Sequence, residues 1–446
     1  MKKVFALLLA VIMLLSMVAC GAPAAEQPKT EENDPAKVEE ATAKVEEAPA
    51  KEPTEMRLMW VGGSDAEARD SVIAKILDEF NATNPYNVKF VFEESDDATY
   101  KTKFPTLMTQ NNMADVFFAW NYGFLEPYVA AGKVYCLDDA LAADEEWASR
   151  YGGSILDGST YDGKVYGVPH SNCVYPTYYN KAIFEECGVS APTNWEEFMN
   201  VCEAVKAKGY APLAMGGQDA WVMGQYLLRL IAGVGGSDLY NSIRYGTGSW
   251  EDPKFIEAGN LLQDLIAKGI FEDNFAGVSY EEALSMFCNG KAAMYHMGNW
   301  VTADIINALG AENVGVFYQP AYYEENASVN LSATDNTLCI AESCENKEAA
   351  LALVKMFSDP KYAELFYTEA SLFPATNVQL SPESVDPVTL EIMSISGDIA
   401  PMGPFDILLG ANVGGEFNNI SVAISTGKDV TEQFTHLQEY AEAESE

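Results

Sequence analysis

The sequence predicts an α/β protein made of two lobes, and three observations support this fold class. The chain has 446 residues, which is more than one hydrophobic core usually organises, so two folded bodies are expected. Patterns typical of strands and helices alternate from Met56 onward, which indicates mostly parallel sheets covered by helices. An apolar content of 48% excludes a wholly disordered chain.

The first elements after Met56 alternate between strand and helix. Ser64 and Glu67 form a capping box at the start of the first helix, and Asn84-Pro85 ends it. The predicted elements are, in order, a strand at 56–61, a helix with an apolar face over 72–80, a strand at 88–92, a helix at 100–110 and a strand at 116–119.

The later chain repeats this alternation, and local signals mark its turns and helix starts. Asp162-Gly163 predicts a hairpin turn before a strand over 164–168, and Gly290 is expected to end a helix. Side chains that can cap a helix start are Thr193 with Glu196, Ser279 with Glu282, Asn346, and Asp359 before Pro360.

Residues 1–19 predict a lipoprotein signal peptide. Lys2 and Lys3 precede an apolar run over 4–15 that is short for a membrane span. The sequence MVACG at 17–21 resembles the lipobox of bacterial lipoproteins, with lipid expected on Cys20. An ordinary signal peptide that contains a cysteine is the alternative. No later stretch approaches 18 uninterrupted apolar residues, so the rest is expected outside the membrane.

The stretch that follows Cys20, up to residue 55, predicts a disordered acidic tether. It is rich in Ala, Pro and acidic residues and has no aromatic residue. Such a composition buries too little apolar area to offset the entropy of ordering the chain. The folded body is therefore expected to begin at Met56.

Charge and composition exclude several classes of function. The chain has 27 Lys and Arg against 66 Asp and Glu, a net charge of −39, which repels nucleic acid. Three His leave little material for a His-rich metal centre, so neither a metal nor a cofactor is expected. The cysteines after Cys20 form no Cys-x-x-Cys pair, and no disulfide framework is expected; they are Cys136, Cys173, Cys187, Cys202, Cys288, Cys339 and Cys344.

Five segments of the chain resemble, in order, segments of the family 1 extracellular solute-binding proteins, the sugar-binding lipoproteins of bacterial ABC importers. The likeness covers nearly all of 56–446, and the third segment is the most specific. The segments are YYNKAIFEECG at 178–188, PTNWEEF at 192–198, FCNGKAAMYHMGNW at 287–300, NKEAA at 346–350 and STGK at 425–428.

This resemblance implies the bilobal periplasmic-binding-protein fold, with ligand trapped at a hinge between two α/β lobes. Lobe one would be 56–166 plus 332–370, and lobe two would be 167–331 plus 371–446. The implied partners are a carbohydrate ligand and the membrane permease of an ABC transporter. The protein is expected to be a monomer, held by its lipid on the outer side of the cell membrane or in the periplasm.

A sugar needs a flat aromatic platform for its C–H face and paired donors and acceptors for its hydroxyls. In open α/β sheets such ligands lie beyond the carboxyl ends of the strands. Three acids, Glu94, Asp96 and Asp97, follow the second strand. Asp96 is the one that we predict to accept hydrogen bonds from sugar hydroxyls. The candidates in lobe one are Trp60, Ser64, Asp65, Asp96, Trp120 and Asn121. Helix capping by Ser64 and Asp65, with Trp60 in the core, is the alternative.

In lobe two, Trp300 is the strongest candidate because it follows a predicted strand at 292–297 and opens a predicted helix at 301–309. His170 lies near the first crossing between the lobes. Two roles are possible for it: a structural role at the hinge, or contact with the ligand. The remaining candidates are Asn172, Tyr175, Trp221 and Asn299, with Asp335 where the chain re-enters lobe one. Trp195 is expected in a helix core, and Trp147 and Trp250 are expected in surface packing; these three are left out of the site.

The predicted function is capture of a carbohydrate by hinge closure, without chemistry. A binding protein for another solute, such as a polyamine, is the first alternative, and a secreted glycoside hydrolase with two carboxylates is the second. The sequence has no His-Glu-x-x-His zinc site, no P-loop and no Gly-x-Ser-x-Gly elbow. The protein is therefore predicted not to be an enzyme.

Overall fold

The computed structural model describes residues 52–62, 66–378, 381–396 and 400–445. The predicted signal peptide, the lipidation site Cys20, nearly all of the predicted tether, and the site candidates Ser64 and Asp65 lie outside these residues. The first strand begins at Thr54, two residues before the predicted start of the folded body. Within the described residues, no helix combines the length and the apolar character that crossing a bilayer requires.

The strands are short, as expected for a domain in which helices cover the sheets. Two of them, β4 and β5, pair only with each other through the predicted turn at Asp162-Gly163. The described residues form β1 (Thr54–Val61), β2 (Val88–Ser95), β3 (Val116–Trp120), β4 (Thr160–Tyr161), β5 (Lys164–Val165), β6 (Val168–Val174), β7 (Thr177–Asn180), β8 (Ala211–Ala214), β9 (Ala292–His296), β10 (Val314–Phe317), β11 (Val329–Ile340), β12 (Phe373–Pro374) and β13 (Ala400–Met402).

Helices make up more of the chain than strands do. They are α1 (Glu67–Thr83), α2 (Asp97–Thr109), α3 (Glu126–Ala130), α4 (Asp138–Ala143), α5 (Glu145–Ala148), α6 (Lys181–Cys187), α7 (Trp195–Ala207), α8 (Ala220–Arg244), α9 (Pro253–Ala267), α10 (Tyr280–Cys288), α11 (Thr302–Leu309), α12 (Lys347–Phe357), α13 (Pro360–Ala370), α14 (Pro387–Ser396), α15 (Phe405–Leu408), α16 (Gly410–Ser425) and α17 (Val430–Glu444).

The strands form two main sheets. The first has the order β12-β6-β11-β3-β1-β2, with β13 beside β11, and the second has the order β10-β7-β9-β8. In the first sheet β1 is parallel to β2 and β3, but β11 is antiparallel to β3 and β6. In the second sheet only β8 and β9 are parallel. The predicted parallel arrangement is confirmed for the first three strands. Each sheet as a whole is mixed, because β11 and β7 enter from the opposite direction.

Two hydrophobic cores lie under these sheets. One core, which we call the core of lobe one, gathers residues of 56–168 and 338–372 together with Ile407. The other, the core of lobe two, gathers residues of 173–331 and 388–437. Each core is thus assembled from separate stretches of the chain, so the chain passes between the lobes more than once.

Two paired strands, β6 and β11, make the first two of these passages. Val168 at the start of β6 belongs to the core of lobe one, and Val174 at its end belongs to the core of lobe two. β11 runs the other way, from Val329 in lobe two to Ile340 in lobe one. The two strands are antiparallel, with register shifts between residues 333 and 337. A bulged two-stranded ribbon therefore joins the lobes.

The capping signals hold at most of the predicted helix starts. Ser279 and Glu282 form the complete capping box of α10, and Asn346 and Asp359 cap α12 and α13 as predicted. The predicted pair Thr193 and Glu196 is wrong by one residue. Asn194 caps α7 instead, and the Glu197 carboxylate accepts the N–H of Thr193 at 2.8 Å. An asparagine therefore takes the cap position, and the glutamate accepts from the residue before the cap.

The prediction of surface packing for Trp147 and Trp250 is wrong. These side chains are 2% and 4% exposed. The Trp147 indole donates to the Ser358 hydroxyl at 3.1 Å, and Trp250 stacks on Phe417 at 5.7 Å. Their charged sequence neighbours face solvent while the indoles face inward. Trp195 packs partly buried against the core of lobe two, and the seven cysteines after Cys20 are free thiols.

Candidate ligand-binding site

A cavity that is open to solvent at its mouth lies between the two lobes. The carboxyl ends of β1 and β3 reach it from lobe one, and the helix starts of α8 and α10 reach it from lobe two. The aromatic side chains in its lining are Trp60, Phe118, Trp120, Tyr175, Trp221, Tyr280 and Trp300. Within the described residues this concentration of rings makes it the main candidate site.

The wall from lobe one consists of rings that are fixed in the core. Trp60 is 1% exposed and lies 5.5 Å from Phe118 and 5.4 Å from Phe357, centroid to centroid. Trp120 is 9% exposed and packs edge-on against Phe118 and Phe124, both at 5.1 Å. Because both indoles have neighbours on several sides, each presents only a small part of its surface to the cavity.

The wall from lobe two is a cluster of rings that are less buried. Trp221 and Trp300 are half-buried, and the Trp300 indole donates to the Tyr280 hydroxyl at 2.9 Å. The ring of Trp221 lies 5.2 Å from that of Tyr280 and 6.3 Å from that of Trp300. Tyr175 meets Trp300 edge-on at 5.5 Å. The cluster offers continuous aromatic surface to the cavity.

One carboxylate links the two loops that carry this cluster. Asp219 directly precedes α8, yet its Oδ2 accepts the N–H of Tyr280, the first residue of α10, at 2.7 Å. The start of α8 carries Trp221, so Asp219 fixes the two ring-bearing helix starts to each other. A carboxylate at a helix N-terminus is favourable because four N–H groups there lack a partner within the helix.

Each cation of the cavity lies beside a carboxylate. The Lys101 ammonium lies 3.1 Å from Asp97 and sits over two rings, 4.8 Å from Trp120 of lobe one and 5.4 Å from Trp221 of lobe two. Such cation–ring contacts are favourable by about 0.5–2 kcal/mol. Lys101 is therefore held between the two walls. Burial raises the pKa of the Asp406 carboxyl, and the charge of Lys101 opposes that rise.

A second cation, Arg69, is also neutralised. Its guanidinium lies 2.6 Å from Asp70, 3.8 Å from Glu94 and 5.8 Å from the ring of Trp60. Burial, helped by the charge of Arg69, lowers the pKa of His170 to about 3, so this imidazole is neutral at physiological pH. The ring of His170 meets Trp60 edge-on at 4.9 Å.

The polar part of the lining includes uncharged hydroxyl and amide groups. Asn336, in the bulged part of β11, donates to the Ser171 hydroxyl at 3.2 Å and to Cys173 Sγ at 3.1 Å. Gln225 of α8 also lines the cavity. Within the described residues, no group of three or more His, Cys, Asp or Glu side chains is arranged to hold a metal ion.

Comparison with known proteins identifies the family to which this chain belongs. A model of the bacterial extracellular solute-binding proteins matches residues 63–364. The chain belongs to this family. The extracellular description of the family places the protein outside the cytoplasm.

Curated relatives agree with this membership. The chain is 26% identical over 314 residues to the multiple sugar-binding protein of Streptococcus mutans, a match that covers 67% of this chain and 70% of the relative. It is 29% identical over 245 residues to an uncharacterised ABC transporter extracellular-binding protein of Pyrococcus horikoshii, which covers 53% of this chain and 56% of that protein.

Solved structures show the same fold. A structure from work on xylan utilization by Caldanaerobius polysaccharolyticus aligns with a TM-score of 0.81 and 26% identity, over 86% of this chain and 99% of that chain. A chitin oligosaccharide binding protein aligns with a TM-score of 0.80 over 89% of this chain and all of that chain. Its identity is 23%, so this second match shows the fold alone. The chain has the bilobal solute-binding fold.

The structure brings five of the predicted site residues to the cavity and places four elsewhere, while Ser64, Asp65 and the Asp335 side chain lie outside the described structure. Trp60, Trp120, Tyr175, Trp221 and Trp300 line it together. Whether they bind ligand stays a prediction. The gathering follows from the predicted positions, since each ring stands at a strand end or a helix start that faces the space between the lobes.

Four predicted residues lie away from this cavity. Asp96 is exposed and caps α2, accepting the N–H of Thr99 at 2.9 Å, and its neighbour Asp97 lines the cavity instead. Asn121 and Asn299 are fully buried because each bonds to another strand. Asn121 donates to the Thr334 carbonyl at 3.0 Å, and Asn299 accepts the Val174 N–H at 3.0 Å.

The fourth of these residues, Asn172, lines a second cavity near the bulged ribbon. Its amide donates to the Pro374 carbonyl at 3.1 Å. Ile407 lines both cavities. Asp335 lies in β11, and its side chain is outside the described structure.

Sequence reasoning missed several lining residues because they are on helices rather than after strands. Lys101 had a usable signal, since it stands four residues after Asp97, a spacing that pairs opposite charges on one helix face. Tyr280 had another, because the recognised capping box places it at the first turn of α10. Other lining residues that were missed on helices include Arg69, Gln225, Glu281 and Asp406, while Ser171 and Asn336 were missed on β6 and β11.

Proposed function

We propose that this protein is the carbohydrate-binding component of an ABC transporter, which captures a mono- or oligosaccharide by hinge closure and delivers it to a membrane permease. The observation that carries the proposal is one cavity lined by indole rings of both lobes, Trp120 on one side and Trp221 and Trp300 on the other. The sugar-binding name of the Streptococcus mutans relative and the xylan context of the 26% identical structure support it.

The aromatic walls suit a sugar because the C–H face of a pyranose ring is apolar. Burying such a face against an indole stabilises a complex by about 25 cal/mol per Å² of apolar area. The hydroxyls at the ring edge need donors and acceptors instead. The Asn336 amide, the Ser171 hydroxyl and the Gln225 amide provide both kinds without a formal charge.

An uncharged ligand fits the electrostatics better than a polyamine does. A polyamine needs carboxylates that lack a cationic partner, because only then does its own charge stabilise the complex. Here Asp97 is 3.1 Å from the Lys101 ammonium, and that ammonium already occupies the space over two rings. The net charge of −39 describes the whole chain and not this cavity.

Closure is proposed to bend the bulged ribbon of β6 and β11. The two cores support lobes close to 56–166 plus 332–370 and 167–331 plus 371–446, with a third passage between them near 371. Hinges are commonly a few residues at the ends of elements that absorb the change in backbone angles. The register shifts in the ribbon interrupt its ladder of hydrogen bonds and favour bending there.

Capture is proposed to occur without chemical conversion. A glycoside hydrolase places two carboxyl groups on either side of the scissile bond. Among the cavity carboxylates, Asp97 is paired with Lys101, and Asp406 accepts from the Asn418 amide at 3.2 Å. Incubation with the bound oligosaccharide should leave it intact, and release of shorter sugars would contradict this part of the proposal.

We further propose that lipid on Cys20 and the tether up to residue 55 hold a monomer close to its permease. A single acyl chain binds a bilayer only marginally, so the diacylglyceryl group of a bacterial lipoprotein would suit this task better. A tether raises the effective concentration of the receptor at the permease without any new contact. Cys20→Ser should release the protein from the membrane fraction, and retention of this variant in that fraction would contradict the anchor.

A thermal-shift screen tests the ligand class. The panel contains monosaccharides, xylo- and chito-oligosaccharides, raffinose, amino acids and spermidine. We expect at least one neutral saccharide to raise Tm by about 3–5 °C at roughly 100 times its Kd. Spermidine and amino acids should leave Tm unchanged. Stabilisation by spermidine alone would overturn the carbohydrate assignment.

A further inference from the structure

The interior of lobe two contains a cluster of polar side chains apart from the ligand cavity. The members stand on α8, β9, the segment after β10 and the start of β11, and none is more than 7% exposed. They are Tyr226, Arg229, His296, Gln319 and Asn330. None of them lines either cavity between the lobes.

Arg229 is a buried cation without a counter-charge. Its terminal nitrogens donate to two main-chain carbonyls, Val329 at 3.0 Å and Gln319 at 2.8 Å. No Asp or Glu of the described residues forms an ion pair with it. Burial lowers the pKa of this guanidinium to about 10, so it stays charged at physiological pH. A buried charge that is not compensated destabilises a fold strongly.

Several polar atoms around Arg229 lack a hydrogen-bond partner among the protein atoms. Each such group costs about 1–3 kcal/mol if it stays unsatisfied, and native proteins usually satisfy it with water or an ion. Burial raises the pKa of Tyr226 and a side-chain hydrogen bond with Gln319 opposes that rise, although this contact lies outside the normal hydrogen-bond geometry. The atoms are Tyr226 Oη, Arg229 Nε, His296 Nε2, Gln319 Nε2 and Oε1, and Asn330 Oδ1.

Most of these atoms are donors. His296 Nδ1 lies 3.0 Å from the Thr177 hydroxyl. Burial, helped by the charge of Arg229, lowers the pKa of His296 to about 3, so the ring is neutral. In the tautomer in which the Thr177 hydroxyl donates to Nδ1, the ring proton resides on Nε2, which has no hydrogen-bond partner among the protein atoms. The Arg229 Nε–H, the Tyr226 hydroxyl and the Gln319 amide supply further donors.

We propose that the interior of lobe two binds a small monovalent anion of the halide class, held by Arg229, Tyr226, His296 and Gln319. The anion neutralises the buried guanidinium and accepts from the surrounding donors, while the Asn330 and Gln319 oxygens accept from water beside it. Adjacency supports a common site: the rings of Tyr226 and His296 are 5.8 Å apart, and Arg229 stands one helical turn after Tyr226.

The site is coupled to the connection between the lobes. Val329, whose carbonyl accepts from Arg229, is the first residue of β11, and β11 crosses from lobe two to lobe one. A bound anion therefore fixes the end of the ribbon in lobe two. We expect it to stabilise the folded protein without touching the ligand cavity.

Thermal unfolding of the full chain provides the first test. Ionic strength is held at about 0.15 M while chloride replaces gluconate, an anion too large for a buried site. Wild type should gain about 1–3 °C in Tm with chloride. Arg229→Met should lose this gain, and Tyr226→Phe, which keeps the ring and removes one donor, should reduce it. Arg244→Met is the matched control, because Arg244 is exposed at the end of the same helix.

Anomalous diffraction provides the second test and needs no variant. Crystals of the wild-type protein are grown in chloride and soaked in bromide to show whether the site binds a halide. An anomalous peak within about 3.5 Å of Arg229 Nε supports the proposal. Water density there without an anomalous peak overturns it, whatever the thermal data show. A Tm that does not depend on chloride in wild type, or depends on it equally in wild type and Arg229→Met, also counts against it.

Discussion

The two walls of the ligand cavity differ in how firmly their rings are held. In lobe one, Trp60 and Trp120 are 1% and 9% exposed and are surrounded by other rings. In lobe two, Trp221 and Trp300 are half-buried. The Trp300 indole donates to the Tyr280 hydroxyl, Trp221 packs against the Tyr280 ring, and Asp219 accepts the Tyr280 N–H. Under the proposed function lobe two offers an open platform, while lobe one supplies a rigid surface that closes onto it.

This difference shows that tryptophans lining one cavity can have different roles, one mainly in folding and the other in ligand binding. A tryptophan packed on all sides contributes mainly to folding, because its apolar area is already removed from water. A half-buried one retains area that a ligand can cover. The following predictions test this division, in order of decreasing effect.

The largest effect is expected from deleting a ring of the lobe-one wall. Trp60→Ala removes an indole stacked on Phe357 at 5.4 Å, so the free energy of unfolding should fall by about 3–5 kcal/mol. Trp221→Ala, the matched variant in lobe two, should cost less than about 1.5 kcal/mol. Urea unfolding measures both. Equal losses would mean that the walls do not differ.

The next effect concerns acid stability. The pKa of His170 near the lobe-one wall and that of His296 in lobe two are both lowered by burial to about 3, against about 6.5 in an unfolded chain. Below pH 6.5 the unfolded chain therefore binds more protons than the native state does. The free energy of unfolding falls as pH is lowered from 6.5 toward 3. Each histidine should remove about 2 kcal/mol between pH 8 and pH 5.

Single variants assign this loss. His170→Gln and His296→Gln should each flatten the fall in unfolding free energy between pH 8 and pH 5, measured by urea unfolding at the two pH values. His436→Gln is the matched variant at an exposed histidine. An unaltered slope in both buried variants would show that these rings are protonated or accessible in the native state.

A smaller effect, confined to binding, is expected from the lobe-two wall. Trp221→Ala and Trp300→Ala should weaken saccharide affinity about 10–100-fold in titration calorimetry, while the unliganded protein stays folded. Tyr245→Ala is the control, because that ring is 66% exposed and outside the cavity. If Trp300→Ala unfolds without ligand, Trp300 belongs to the core instead.

The smallest effect concerns the link between α8 and α10. Asp219→Ala removes the acceptor for the Tyr280 N–H and should lower stability by about 1 kcal/mol and affinity about 3–10-fold. Asp252→Ala is matched to it, since Asp252 caps α9 by accepting the Lys254 N–H at 2.9 Å. It should cost similar stability and leave affinity unchanged. Equal affinity in both variants would show that Asp219 does not position the rings.

Much of the fold could be predicted because its signals are local. The apolar face of α1 and the caps of α10, α12 and α13 follow from residues within one or two turns of each other. The mixed direction of the sheets could not be predicted, because it depends on where β11 returns after more than two hundred residues. The one-residue error at Asn194 arose because two neighbouring residues can both cap a helix.

The site divides in the same way. Trp60 and Trp120 could be found because strand ends in α/β sheets point toward ligands, and Trp300 because it stands between a strand and a helix. Asp406 could not be found, since it reaches the cavity from the C-terminal part of the chain. Lys101 was missed although its spacing from Asp97 pairs the two charges on one helix face. Asn121 and Asn299 were expected at the cavity because they adjoin these tryptophans, but their amides bond to strands behind it.

The most direct test of the central claim is a crystal structure of the protein with the saccharide that raises Tm most in the screen. The account predicts a sugar ring between the lobes, stacked on Trp221 or Trp300 and in contact with Trp120, with Lys101 displaced from between the indoles or bonded to a hydroxyl. A sugar bound outside this cavity, or one held inside it without contact to any of these three rings, would contradict the account.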